Sequence, residues 1–387
     1  MLDRLIRPAL LRRLQTTPAA ALVGPRQAGK TTLARSLSSV YYDLELETER
    51  LRLDLDWPQI EQEQRLVVLD EAQAWPEVFP RLRAAIDGDR PRNGRFLLLG
   101  SVSPALMHQV SESLAGRLAL IELTPLLWRE LPSDVEQNRR WLCGGFPDGG
   151  VLTRSAYPQW QRDYLALLVQ RDLPTWGLPS RPQVTERLLR MLAASNGQTW
   201  NASKIGQSLG LSYHTVNSYT DYLTGAFVVR LLPPFEPNVR KRVTRSPKLH
   251  WRDSGLLHAV LQVPDQQSLL SQPWVGASWE SFVAEQTLGL LAALGPAHAG
   301  YHFRAGDRNE IDLVLEIDGE VWAIESKLTT SPSPHDLARL DRSAELIGAG
   351  RRFLVSQTPV PGGDDSRASH NLASFSRWLF ERFGHRP

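Results

Sequence analysis

Gly24-Pro25-Arg26-Gln27-Ala28-Gly29-Lys30-Thr31 lies between an apolar run, Ala19-Ala20-Ala21-Leu22-Val23, and a helix-compatible stretch, Thr32-Leu33-Ala34-Arg35-Ser36-Leu37. The spacing is that of the G-x-x-x-x-G-K-[ST] phosphate loop, with the strand before it and the helix after it that the motif requires. Gly24 and Gly29 let the backbone bend around a phosphate chain without a Cβ clash, and successive N–H groups and the helix N-terminus supply positive partial charge. The whole run from Gly24 through Pro25, Arg26, Gln27, Ala28, Gly29, Lys30 and Thr31 to Thr32 is therefore the expected nucleotide cradle. Lys30 is expected to neutralise the β- and γ-phosphates of ATP, and the Thr31 hydroxyl to ligate the Mg²⁺ that bridges them.

Working outward, Tyr41-Tyr42-Asp43-Leu44 reads as a short second strand, followed by a charged, helix-prone stretch through Glu63. Arg65-Leu66-Val67-Val68-Leu69-Asp70-Glu71 then runs from continuous apolar residues into two acids. Such a run suits a parallel strand buried on both faces, and its carboxyl end is where an α/β sheet places ligand-binding residues. Asp70 is the expected Mg²⁺ ligand, and Glu71 the group that orients or deprotonates the attacking water. Arg95-Phe96-Leu97-Leu98-Leu99-Gly100-Ser101 is a third buried-strand signal, after which Ser101 either contacts the γ-phosphate or ends a turn. Leu114-Ala115-Gly116-Arg117 leads into Leu118-Ala119-Leu120-Ile121, and Arg117 is a candidate arginine finger, in cis or from a neighbouring subunit.

A chain of 387 residues, 42% of them hydrophobic, is long enough for two or three domains. Its 44 basic and 42 acidic residues leave a net charge of +2, so nucleic-acid binding would have to come from local patches. The single cysteine, Cys143, excludes an intrachain disulfide framework and fits a reducing cytoplasm; it reads as a small core residue. No apolar run reaches the ~20 residues needed to span a bilayer, and charges scattered through Met1-Leu2-Asp3-Arg4-Leu5-Ile6-Arg7-Pro8 do not suit a signal peptide.

These motifs, Gly24 to Ala34, Leu69-Asp70-Glu71-Ala72-Gln73, Gly100-Ser101-Val102-Ser103 and Leu114 to Arg117, resemble those of prokaryotic AAA-type ATPases with an AAA_14 domain and a C-terminal DUF4143 domain. Gly144-Gly145-Phe146-Pro147, Gln170-Arg171-Asp172-Leu173 and Pro247-Lys248-Leu249-His250-Trp251-Arg252-Asp253-Ser254-Gly255-Leu256 are similar to further elements of that family. The resemblance implies that Asp70 and Glu71 are the Walker B pair, Ser101 a sensor position and Arg117 a finger.

In the middle of the chain, Ala202 to Leu209 is a short helix candidate, Gly210-Leu211 a turn, and Ser212 the N-cap of a second helix through Leu223. With the strand-like Phe227-Val228-Val229-Arg230-Leu231-Leu232 after it, the unit reads as a winged helix. Tyr213, His214, Asn217 and Ser218 would then face a DNA groove, with Arg240-Lys241-Arg242-Val243-Thr244-Arg245 on phosphates. The alternative is a winged helix that serves only for packing.

Near the C-terminus, Asp318-Gly319 separates two β-rich runs, Ile311 to Ile317 and Glu320 to Lys327, predicting a hairpin with a type I′ turn. Ile317 opposite Glu320 puts Asp312 opposite Glu325, and Lys327 on the same face opposite Glu310. Facing carboxylates need neutralising. A divalent metal between Asp312 and Glu325 would do so, with Lys327 steadying a nucleophilic water or a phosphate oxygen; alternatively Lys327 is simply their ion-pair partner. The set Asp312, Glu325 and Lys327 resembles the PD-(D/E)xK nuclease core, and that resemblance implies a further acidic metal ligand at Glu280; Asn309-Glu310-Ile311 departs from it where a proline is expected.

The expected fold is thus an α/β P-loop AAA-type ATPase domain (1–130), a helical plus winged-helix middle (131–250) and a C-terminal α+β restriction-endonuclease-like domain (251–387). The expected function is a Mg²⁺-dependent ATPase coupling nucleotide state to DNA binding or cleavage by a metal-dependent deoxyribonuclease site. The alternative is a nucleotide switch whose C-terminal domain binds a partner without cutting. Expected partners are ATP, DNA and a second copy of the chain, with no membrane.

Overall fold

The apolar run before the phosphate loop forms strand β1 (Ala19–Val23), with every residue buried. The computed structural model describes residues 2–100, 114–153, 155–178, 181–236, 244–306 and 309–384. The chain separates into two compact units: Met1–Leu126 with the short pieces Thr175–Gly177 and Gly225–Phe227, and the remainder from Leu127 onward.

In the first unit, helix α1 (Arg7–Thr16) precedes β1, and α2 (Lys30–Arg35) follows the loop. Then come β2 (Val40–Asp43), α3 (Glu47–Ile60), β3 (Val67–Asp70), α4 (Val78–Gly88), β4 (Phe96–Gly100) and β5 (Leu118–Glu122). The strands form a parallel sheet in the order β2-β3-β4-β1-β5. Alternation decides its faces: Ala19, Ala21, Val23, Val67, Leu69, Phe96 and Leu98 pack with Leu53 of α3 and Val78, Phe79, Leu82 and Ile86 of α4. Helix α1 lies against β1 and β5 on the strength of its buried Leu10 and Leu14. With both faces covered, the strands must be continuously apolar, as their sequences are. Val23 is level with Gly100 and with Glu122, so β1, β4 and β5 end together below the phosphate loop.

The second unit contains helix Ala202–Leu209 and, up to Thr224, helix Tyr213–Gly225, with a turn between them. The Asn201 side chain accepts from the Lys204 N–H at 2.9 Å to start the first helix, and Gly210, at φ 67°, ends it in a left-handed turn. Strands β6 (Val229–Leu232) and β7 (Lys248–Trp251) follow as an antiparallel pair. The larger sheet is ordered β12-β13-β11-β10-β9-β8, from β8 (His298–Ala305), β9 (Asn309–Ile317), β10 (Glu320–Ser326), β11 (Arg351–Ser356), β12 (Gly362–Gly363) and β13 (Arg367–Asn371). Strands β8, β9 and β10 are an antiparallel meander. Helix Pro334–Leu346, opened by a reciprocal Ser333/Asp336 capping box, carries the chain over to β11, parallel to β10. Ile317 pairs with Glu320, and Asp318 (φ 50°) and Gly319 (φ 84°) make the left-handed two-residue turn that the Asp-Gly dipeptide predicts.

Several quoted motif elements are packing devices. The Asp253 carboxylate accepts from the Gly145 N–H at 2.7 Å and from the Leu256 N–H at 3.1 Å. A Cβ on Gly144 would fall on that carboxylate, and one on Gly255 would fall on the Cys143 carbonyl. The Gly-Gly and Asp-Ser-Gly elements are therefore two sides of one contact. Cys143 is buried there, its thiol pushed up to about 11 by burial, which suits a core residue.

Candidate functional sites

Lys30 opens α2 and is buried. Its Nζ donates to the carbonyls of Gly24 at 2.8 Å and Pro25 at 2.9 Å, folding the ammonium back over the loop. Burial lowers its pKa to about 8, against the pull of Glu71 and Asp70. Thr31 Oγ1 donates to Asp70 Oδ2 at 2.7 Å, so the hydroxyl after the lysine meets the carboxylate that ends β3. These are hard oxygen donors converging from the first turn of α2 and the end of β3, a set that fits Mg²⁺. Glu71, next in the chain, adopts φ 47°, and its carboxylate accepts from the Gln73 amide. Burial pushes its pKa up, opposed by that hydrogen bond. Gln27 is exposed at the tip of the loop and has φ 60°.

Two residues at this site escaped the sequence reading. Tyr41, in β2 beside β3, donates its hydroxyl to Asp70 Oδ2 at 2.6 Å, sharing the oxygen that Thr31 uses. Arg4, just before α1, is 9% exposed. Its Nη1 donates to the Ala28 carbonyl at 2.7 Å and its Nη2 to the Thr124 carbonyl at 2.6 Å, tying the loop to the segment after β5. Nothing local marks either residue; only the fold brings them to the loop. Ser101 lies outside the described residues.

The expectation that Arg117 acts as a finger on its own chain's nucleotide does not fit its position. Arg117 precedes Leu118, which pairs with Ala19 at the start of β1, whereas the phosphate loop follows Val23 at the other end. Five strand residues at ~3.3 Å each separate the two. The guanidinium is engaged with Asp87 through Nε and Nη2, each at 2.8 Å.

In the second unit, the predicted hairpin register brings Asp312 beside the end of β10, where Asp312 Oδ2 accepts from the Ser326 N–H at 2.8 Å. The expected metal position is, however, already supplied with positive charge. Lys248, the first residue of β7, is buried, and its Nζ lies 2.6 Å from Glu280 Oε1, 3.0 Å from Glu310 Oε1 and 3.5 Å from Asp312 Oδ1. Glu325 Oε1 is 2.9 Å from Lys327 Nζ and also accepts from Arg339 Nη2. Glu325 Oε2 is buried without a hydrogen-bond partner among the described residues. Burial, reinforced by Asp312, raises the Glu325 carboxyl to about 7. A divalent ion at Asp312 and Glu325 would face three cations, the buried Lys248 and the partly exposed Lys327 and Arg339, and the donor set does not fit it. Among the described residues, no group of three or more His, Cys, Asp or Glu is arranged to hold a metal ion. Lys327, just past β10, pairs with Glu325, as the ion-pair alternative expects, while Glu310 takes Lys248.

On the second helix of the helix–turn–helix, Tyr213, His214 and Ser218 are exposed. Asn217 instead accepts from the Trp200 indole N–H at 3.2 Å. Within the basic stretch, Arg240, Lys241, Arg242 and Val243 lie outside the described residues; the Thr244 N–H donates to the Arg304 carbonyl at 2.9 Å. No helix among the described residues is long and apolar enough to cross a membrane.

Family models match three stretches of the chain: an AAA domain (AAA_14) over residues 16–132, a domain of unknown function (DUF8612) over 135–267, and a second (DUF4143) over 275–366. The chain is 39% identical over 374 residues to uncharacterized protein Rv2008c of Mycobacterium tuberculosis (strain ATCC 25618 / H37Rv), covering 93% of this chain and 83% of that protein. Uncharacterized protein Mb2031c of Mycobacterium bovis (strain ATCC BAA-935 / AF2122/97) matches with the same figures. Among solved structures, the Walker-type ATPase PABY2304 of Pyrococcus abyssi is similar at 16% identity and a TM-score of 0.47, over 67% of this chain and 96% of that chain. With an AAA_14 match on the parallel sheet and a DUF4143 match on the C-terminal one, the chain belongs to the family of these mycobacterial proteins, an AAA-type ATPase architecture joined to a DUF4143 domain.

Proposed function

We propose that the first unit binds ATP and hydrolyses it with Mg²⁺, and that its nucleotide state controls DNA binding by the second unit. The observation that carries the ATPase reading is the convergence of Lys30, Thr31, Asp70 and Glu71 at the strand ends. Phosphate oxygens would draw the Lys30 ammonium off the Gly24 and Pro25 carbonyls, exchanging two neutral acceptors for charged ones. Thr31 and Asp70 would hold the Mg²⁺, which when bound neutralises charge on the phosphates. Glu71, its pKa raised by burial, is placed as the group that orients or deprotonates the lytic water. Ser101 would contact the γ-phosphate, and Arg117 would serve as a finger only toward a neighbouring copy.

DNA binding rests on the winged-helix reading of the two short helices and the β6/β7 pair, with Tyr213, His214 and Ser218 on the exposed face of the second helix. For the C-terminal sheet, the Lys248 contacts favour the alternative of a binding module over a nuclease. The test compares the wild type with Lys30→Ala and Asp312→Ala. Mg²⁺-dependent ATP turnover that is lost in Lys30→Ala, with DNA retardation that differs between ATP and ADP, is the expected result. Turnover that survives Lys30→Ala would overturn the ATPase assignment. Mg²⁺-dependent cutting of linear or supercoiled DNA that is lost in Asp312→Ala would restore the nuclease.

A further inference from the structure

The acidic cluster of the C-terminal sheet has an unusual occupant. Glu280 comes from the long helix Val275–Leu294, and Glu310 and Asp312 come from alternate positions on one face of β9. Their oxygens converge from different elements on a single point, and at that point lies Lys248 Nζ, at 2.6, 3.0 and 3.5 Å. Lys248 is 5% exposed, delivered by β7 from outside the sheet. Its backbone is fixed by pairing with Leu232 and by a bridge to Thr199, so the side chain reaches inward from a rigid strand. The other groups close to it do not compete for this role. His250 is buried with Nδ1 on Ser281 Oγ at 2.7 Å and is held neutral, its pKa driven well down by burial and by Lys248. His302 turns Nε2 to the Ser246 carbonyl at 3.0 Å.

Gathering oxygens from several elements around one cation is how a divalent ion is held; here they are gathered around an ammonium, in an arrangement that holds no metal ion as it stands. An ammonium offers three N–H donors, and three carboxyl groups stand around this one. Charge outweighs burial here: burial alone would lower the Lys248 pKa, yet Glu280, Asp312 and Glu310 hold it above its usual value.

We propose that the Lys248 ammonium is the built-in cation of this cluster, occupying the position a divalent metal would take among Glu280, Glu310 and Asp312. The cluster is thus permanently loaded, and the C-terminal domain holds β7, the carboxylate-bearing β9 and the long helix together without any metal ion. This inference is independent of the ATPase reading.

The test is Mn²⁺ binding to the full-length, nucleotide-free protein, followed by the loss of the free-ion EPR signal. Wild type and Asp312→Asn are expected to titrate alike, because the cluster takes no ion in either. Lys248→Met keeps the length of the side chain and removes the charge, and is expected to gain one bound Mn²⁺ that the double variant Lys248→Met/Asp312→Asn loses. Wild-type binding that disappears in Asp312→Asn would overturn the proposal, as would a folded Lys248→Met that gains nothing. If circular dichroism shows that Lys248→Met does not fold, the wild-type and Asp312→Asn titrations decide alone: identical curves support the built-in cation, and a difference refutes it.

Discussion

Replacing Arg4 by alanine tests whether the phosphate loop is shaped from outside its own motif. The guanidinium is 9% exposed and spans two carbonyls, Ala28 in the loop at 2.7 Å and Thr124 after β5 at 2.6 Å. Hydrogen bonds from a charged donor contribute ~1.5–3 kcal/mol each. The bond to Ala28 is the one that restrains the loop, and a Cβ on the neighbouring Gly29 would lie 3.5 Å from Arg4 Nη1, so the fork sits directly behind the phosphate-facing backbone. If the free energy of shaping the loop is transferred to ligand binding, ~1.5–3 kcal/mol becomes a roughly ten- to hundredfold weaker Kd for nucleotide. Lysine can serve one carbonyl but not both in the planar fork, so Arg4→Lys should fall between the two. The assay is titration with a fluorescent ATP analogue, alongside thermal melting to separate a loosened loop from a destabilised unit. Arg4→Ala binding within about twofold of wild type would refute this account, because a loop that keeps its affinity without the fork was never held by it.

Burial places the Lys30 pKa near 8, so the free loop carries the ammonium below that pH and loses it above; a polyphosphate favours the charged form, so binding at pH 8 should take up about half a proton. Calorimetry in two buffers of different ionisation heat measures this, and an exchange that persists in Lys30→Arg would assign it to another group. Gly24→Ala should abolish nucleotide binding, since a Cβ there would fall on the Leu123 carbonyl and Gly24 has φ 151°; equilibrium dialysis with ATP checks it. Arg117→Ala should leave turnover unchanged at dilutions where the chain is monomeric, because Arg117 lies at the far end of β1 and β5 from the loop. A loss of turnover in the dilute monomer would contradict that placement.

What was legible in the sequence was what the backbone repeats locally. The continuous apolar runs at Ala19–Val23, Val67–Leu69 and Phe96–Leu99 announced buried parallel strands because a sheet covered on both faces leaves no polar alternation. Asp318-Gly319 announced its hairpin because only residues tolerating positive φ make the turn, and once Ile317 faces Glu320 the count carries the register to Leu313, the neighbour of Asp312. The position of Arg117 was not legible, since a motif's nearness in sequence to a strand does not say which end of that strand it occupies. Arg4 and Tyr41 were hidden for a related reason: each reaches the loop from a separate element, Tyr41 from a neighbouring strand and Arg4 from the stretch before α1.

Lys248 shows most sharply where such reading stops. Cross-strand counting pointed to two carboxylates that need neutralising, and from one hairpin alone the available cations were a metal ion or Lys327. The structure gives Glu325 to Lys327 and Arg339, and meets Asp312 with Lys248, a residue 62 positions before Glu310. A buried ammonium is costly to desolvate, and so are buried carboxylates; what makes either tolerable is the other, brought to hydrogen-bonding distance by elements that have no sequence relation. Removing Lys248 should therefore hurt more than removing any one acid, because three carboxyl groups lose a shared partner while each single acid variant leaves the lysine two. Urea unfolding of Lys248→Met against Glu310→Gln measures the difference. Equal losses would mean that the carboxyl groups are satisfied one by one and that the lysine is not their common centre.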